Sequence, residues 1–166
     1  MNVPKLRARL SEFKGLFLPN KFNVVISTPF LGESESLNVL ARNVNLSGET
    51  LTTFEKVDAG HPKAVVSNFS NETLSISFLL TNDMRAEKFF RNWKNLIINK
   101  RTQSVSYRQD VIGTIVVEML DRNNNIVQTR TFTECIPTSF SGWSLGSDAA
   151  LTEITINFEF YEMITE

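Results

Sequence analysis

Histidine and cysteine each occur once in this chain, as His61 and Cys135, and no lysine follows Lys100. A single cysteine cannot close an internal disulfide, so the fold does not depend on an oxidising compartment. One histidine and one cysteine, far apart in the chain, offer neither a nucleophile–base pair nor enough soft ligands for a metal. Gly146 and its neighbours lack the glycine pattern and following lysine of a phosphate-cradling loop. The acidic pairs Glu33 with Glu35 and Glu153 with Glu159 fall in a loop and on a solvent face, where carboxylates mainly solubilise. No cofactor or catalytic group is expected, and the basic residues are not interleaved with aromatics as a nucleic-acid reader would need. No apolar run approaches the ~20 residues of a membrane span. The N-terminus, although basic, lacks the hydrophobic core of a secretion signal. Membrane anchoring is therefore not expected, and synthesis and use in a cytoplasm are.

What the chain has in quantity is phenylalanine, 13 against 2 Trp and 2 Tyr, which suits a tightly packed sheet interior. Its 166 residues are most simply one domain, long enough to bury about 70% of the unfolded surface. Neither an internal repeat nor a low-complexity tract interrupts it. The one sustained helical period runs over residues 82–99, where Ala86, Phe89, Phe90, Trp93, Leu96 and Ile97 share a face. Arg85, Lys88, Arg91 and Lys94 take the other face, and Asn82 or Asp83 can cap the start. Phe89, Phe90 and Trp93 need a broad apolar surface, so this helix should dock on a sheet as part of the core.

The rest reads as strand. Leu74, Ile76, Phe78 and Leu80 alternate with polar residues. Phe22, Val24 and Ile26 do the same after Pro19, as do Ile115, Val117 and Met119, with Thr114 and Glu118 outward. Residues 37–46 have strand character, and 104–107 form a short piece. The run Asp121 to Asn125 is the best turn signal, leading into a strand over 126–136. Ile154, Ile156, Phe158 and Phe160 oppose Glu153, Thr155, Asn157 and Glu159 in one last strand over 151–163. Residues 47–70 lose the clean period and read as a long hairpin projecting from the body, with His61 near its tip. Residues 1–18 form a basic arm in which Leu6, Leu10 and Phe13 recur at helical spacing; so short a helix must dock on something. About eight strands and one helix imply a mainly β fold, a sandwich or partly open barrel of two packed antiparallel sheets with the helix over an end or side. Charge is uneven: residues 1–101 carry 14 Lys and Arg against 9 Asp and Glu, and residues 102–166 carry 3 against 9. Halves of opposite sign suit head-to-tail self-association.

In this order, the entry Leu18-Pro19-Asn20-Lys21-Phe22-Asn23-Val24, the long hairpin, the Phe89-Phe90-x-x-Trp93 helix and the closing strand Ile154 to Tyr161 resemble the tail tube proteins of contractile-tailed bacteriophages. The resemblance covers nearly the whole chain. It implies a β-barrel subunit forming hexameric rings that stack into a hollow tube, which a contractile sheath drives through the host envelope and DNA then traverses. It further implies the sheath, baseplate and tail terminator proteins as partners, and a place in the virion after assembly in the host bacterial cytoplasm. A ring would also pair each open sheet edge with the next subunit. On this reading Leu6, Leu10 and Phe13 of the arm, with Glu55, Lys56 and His61 of the hairpin, form the ring-stacking interface. Glu153 and Glu159, with Glu118 and Glu134, are candidates to line the lumen, where negative walls repel phosphates. A baseplate tube initiator or the inner tube of a type VI or other contractile injection machine would share the fold. A ligand-binding barrel of lipocalin type is the alternative of another class, and predicts a monomer with a hollow interior.

Overall fold

A computed structural model describes residues 19–28, 35–46, 48–144 and 151–166. In chain order these form β1 (Phe22–Ser27), α1 (Glu35–Asn38), β2 (Ala41–Asn45), β3 (Glu49–Asp58), β4 (His61–Asn71), β5 (Leu74–Leu79), α2 (Arg85–Ile97), α3 (Arg108–Val111), β6 (Gly113–Leu120), β7 (Ile126–Phe140), β8 (Glu153–Glu159) and β9 (Glu162–Thr165). The fold is mainly β, and the ladders between these strands are antiparallel. Seven strands make one sheet in the order β1-β6-β7-β8-β5-β2 with β9 also on β7, while among the described residues β3 and β4 pair only with each other.

The long strand β7 belongs to two halves of that sheet. Its first part pairs with β6 and β9, its last part with β8. Between Gly113↔Cys135 and Ile115↔Phe132 the register slips by one residue, and Glu134 inside the slip has a φ of 51°. A bulge with one left-handed residue bends a strand, so β7 turns a corner and brings both halves over one core. Ile26, Ile115 and Phe132 from the first half meet Ile76, Phe78, Ile156 and Phe158 from the second, all fully buried.

Helix α2 fills the space between. Ala86, Phe90 and Trp93 are fully buried, and Phe90 packs on Phe78 and Phe158 with ring centroids 5.0 and 5.9 Å apart. Phe89 packs edge-on against both Phe90 and Trp93. Leu96 departs from the expected face and is 42% exposed. The segment returning from α2 closes on the helix end through Ser106, which bonds the carbonyls of Leu96 and Ile97, and the Leu96 side chain is left outside.

Four further expectations are corrected. Neither Asn82 nor Asp83 caps α2; the cap position is Met84, with a φ of 53° and no side-chain bond. Asp83 instead accepts from the Thr81 hydroxyl and the Arg85 guanidinium, which hold its carboxyl below the usual carboxylate range. Residues 37–46 are not one strand: Leu37 lies in α1 and is buried, Val39 is 85% exposed, and β2 begins at Ala41. Residues 104–107 contribute a single bridge, Ile98↔Val105, before the short α3. The closing strand breaks after Glu159, where Tyr161 N–H donates to the Thr133 carbonyl and carries the chain across to β9. Phe160 at this crossing packs edge-on against Phe132, 4.9 Å between centroids.

Candidate functional site

The hairpin β3–β4 carries three Thr, three Val and two Phe, residues that favour a pleated extended chain. Its two-residue turn, Ala59-Gly60, has φ values of 50° and 82°, the positive pair that matches strand twist in a tight hairpin. The ladder runs from Glu49↔Asn71 to Asp58↔His61 and slips once, at Thr52/Thr53, where the Ser67 hydroxyl donates to the Thr52 carbonyl. Register then assigns the faces. Leu51, Thr53, Glu55 and Val57 lie on one side with Phe69, Val66, Ala64 and Pro62 opposite them. Phe54 and Lys56 lie on the other, opposite Val65 and Lys63. Leu51, Phe54, Val57, Val66 and Phe69 are 50–67% exposed, so apolar side chains stand bare on both faces. A free two-stranded hairpin is marginal in water, and among the described residues this one has no third strand.

The sequence-derived stacking residues are thus divided. Glu55 shares the larger apolar face, Lys56 stands directly opposite Lys63 on the other, and His61 pairs with Asp58 beside the turn. Lys63 is 3.4 Å from Asp58. Leu6, Leu10 and Phe13 lie outside the described residues. At the hairpin base, Glu72 N–H donates to the Gly48 carbonyl, and Asn71 Nδ2 donates to the Tyr161 carbonyl at 3.4 Å.

The body presents two outward sheet faces of different character. On the first half an apolar row, Val25, Val116, Thr131 and Ile164, crosses four strands. Beside it runs an acidic row, Asn23, Glu118, Thr129 and Glu166, in which Asn23 Nδ2 donates to Glu118 Oε2 at 3.0 Å. On the second half neither charge nor hydrocarbon appears in the central rows. Asn43, Ser77, Thr155 and Ser141 form one row, and Asn45, Ser75, Asn157 and Ser139 the next. Their polar groups bond one another: Ser77 Oγ lies 2.9 Å from Thr155 Oγ1, Ser141 Oγ accepts from Thr155 N–H, and Asn157 Nδ2 donates to Ser139 Oγ at 2.7 Å.

The four candidate lumen carboxylates do not share one wall. Glu118 is on the first half, and Glu153 and Glu159 flank the neutral rows of the second. Glu153 is ion-paired with Arg42. Glu134 sits in the bulge, 3.3 Å from Arg108. Phe90 and Trp93 lie in the buried core, and Phe89 is partly buried against it. The outer face of α2 is basic: Arg85 and Arg91 pair with Asp83 and Glu87, and Lys94 lies over the Phe140 ring. Among the described residues, no three His, Cys, Asp or Glu side chains come together to hold a metal, and no helix is long and apolar enough to cross a membrane. The two contrasting sheet faces were not legible in the sequence as such. The alternating Ser, Thr and Asn of β5 and β8 were the available signal, but pairing them into rows required the register.

Three solved structures show what the fold is similar to. A chain in the cryo-EM structure of the anti-feeding prophage (AFP) baseplate superposes with a TM-score of 0.70 at 12% identity, covering 91% of this chain and 95% of that one. A chain in the sheath–tube complex of the extracellular contractile injection system PVC, in its extended state, gives 0.65 at 12% identity, with 96% of each covered. The tail tube of SPP1 gives 0.50 at 8% identity over 90% of this chain and 78% of the other. No curated protein matches the sequence. The family model described as phage tail tube protein matches residues 11–166, and the chain therefore belongs to the phage tail tube protein family, a structural family and not one of enzymes.

Proposed function

We propose that this protein is the repeating subunit of the tube in a contractile tail: it closes into hexameric rings, the rings stack, and DNA passes along the bore. The observation that carries this reading is the hairpin β3–β4, which holds five large apolar side chains half-exposed or more on a two-stranded ribbon. Such a ribbon is stable only when something covers it, and stacked copies would do so at every ring. Among the described residues β1 and β2 are the margins of the sheet, which neighbours in a ring would also complete.

Within that assembly the arm residues Leu6, Leu10 and Phe13 and the hairpin residues Glu55, Lys56 and His61 belong to the stacking interface. The bore wall is the outward face of the second half of the sheet, with Glu153 and Glu159 flanking its neutral rows. Rows of mutually bonded hydroxyls and amides offer a passing polyanion no cation to hold it, and Glu159 adds repulsion. Glu118, on the other half, is then away from the bore. A contractile sheath outside, and a baseplate and terminator at the two ends, complete the partners, with the tail tube of a virion assembled in bacterial cytoplasm as the location.

A second reading is a tube or baseplate component of an injection machine carrying protein and not DNA. It is favoured by the high fold similarity to chains of the AFP baseplate and the PVC sheath–tube complex. Size-exclusion chromatography with negative-stain microscopy tests the shared core of both: rings or tubes are expected, and a stable monomer at high concentration overturns it. Nucleic acid recovered from nuclease-treated intact particles, against protein cargo alone, separates the two.

A further inference from the structure

The second face of the hairpin has a receptor on the body of another copy, an inference that rests on the tube reading and gives it one specific contact. Lys56 and Lys63 stand directly opposite each other on adjacent strands, an unfavourable like-charge pair; Asp58 lies 3.4 Å from Lys63, while Lys56 is in no ion pair among the described residues. One residue pair nearer the base on the same face come Phe54 and Val65, an apolar couple with Phe54 half exposed. The ribbon thus presents an apolar pair and a basic pair about 6.6 Å apart along the strand.

Only one outward face among those described offers the complement. On the first half of the sheet the apolar row through Val116 and Ile164 lies two residues along the strand from the acidic row through Glu118 and Glu166, the same spacing. Glu118 is oriented by Asn23, and neither it nor Glu166 is ion-paired among the described residues. The neutral rows on the second half have neither hydrocarbon nor charge to match, and the outer face of α2 is basic and would repel the lysines. We infer that the hairpin of one copy lies across the first sheet half of a second copy, Phe54 and Val65 on the Val116–Ile164 row and Lys56 and Lys63 on Glu118 and Glu166. The contact gives Lys56 a counter-charge, adds one to Lys63 beside Asp58, and covers hydrocarbon on both partners.

A charge swap tests it. The K56E/K63E chain keeps its fold by circular dichroism, since both lysines are exposed, and needs on the order of tenfold more protein to assemble. The E118K/E166K chain shows the same defect, and the quadruple variant carrying both swaps assembles as the wild type does. Reversal without effect, or a quadruple variant no better than the doubles, overturns the pairing while leaving the tube reading standing. A wild-type chain that never assembles sinks the tube reading itself. The second measurement is independent of charge: F54C and V116C chains mixed before assembly should give a crosslinked heterodimer with a short bismaleimide. Absence of that product in assembled material overturns the inference.

Discussion

The Trp93 ring lies against Gly113 so closely that a Cβ built at residue 113 would sit 2.8 Å from Cη2 and 2.9 Å from Cζ2 of the indole. Gly113 opens β6 where the bulge bends β7, and Trp93 Nε1–H donates to the Val111 carbonyl at 2.8 Å just before it. The helix is therefore keyed to the corner of the sheet at one point, by contact and by hydrogen bond. Gly113→Ala is expected to destabilise by about 1–3 kcal/mol through overpacking, since neither the indole nor the nearby Thr28 Cγ2 at 3.0 Å is a loose side-chain end. Trp93→Ala should cost roughly 3–5 kcal/mol as a cavity. Trp93→Phe keeps most of the volume but strands the Val111 carbonyl, costing about 1–3 kcal/mol. Urea unfolding of the three chains at neutral pH checks the order.

The hairpin separates folding from assembly. Leu51→Ser with Phe69→Ser removes apolar surface that the isolated chain already leaves in water, so the unfolding midpoint should move by less than about 0.5 kcal/mol equivalent. Assembly should be lost or require far more protein, because the same surface is what a neighbouring copy would cover. Sedimentation of both chains at matched concentration, with a parallel denaturation curve, decides. A variant that unfolds as easily as it fails to assemble would show that the hairpin is part of the core.

Much of the architecture was legible because its cause is local. Leu74, Ile76 and Phe78 alternate on a half-buried strand, and Asp121 closes its turn by accepting from the backbone N–H and side-chain amide of Asn125 and from the backbone N–H of Asn123, which hold its carboxyl below the usual range. The corner of β7 was not legible. Thr133, Glu134 and Cys135 carry neither Gly nor Pro, and Glu134 takes its left-handed φ because the two sheet halves must meet over one core. The break at Phe160 has the same origin: the alternation continues through it, and β8 and β9 pair with the two parts of β7 on either side of its corner, so the chain bends where β7 bends. Site residues followed the same rule. Glu118, Glu153 and Glu159 stand away from the core on their strands, but that they do so on two separate faces depends on the corner.

Cys135 gives a pH signature. It is fully buried, and burial pushes its thiol from 9.0 up to about 12, against a weaker opposing hydrogen bond from the Ile115 backbone. The unfolded chain ionises first, so between about pH 9 and pH 12 it binds fewer protons than the folded chain. Stability from the neutral thiol is present below pH 9 and falls by up to about 1.4 kcal/mol per pH unit above it. Cys135→Ala should show a shallower decline than the wild type over that window, while losing some packing at all pH values. Parallel slopes for the two chains would mean that the thiol ionises normally in the fold.

The neutral wall makes a prediction about passage. If Ser77 and Asn157 face the bore, Ser77→Lys with Asn157→Lys places two cations per subunit where the native rows hold none, and every ring repeats them. Each lysine that neutralises a phosphate adds affinity that falls with salt, so DNA should stall in the tube at low ionic strength and be released as salt rises. The same pair on the opposite face, Thr131→Lys with Val116→Lys, should leave passage unaltered at any salt, whatever it does to assembly. The measurement is the fraction of DNA released from intact particles over a salt series. Release in the Ser77 and Asn157 variant that matches the wild type at every salt concentration would remove the second sheet half from the bore, since a polyanion sliding past a ring of lysines cannot ignore them.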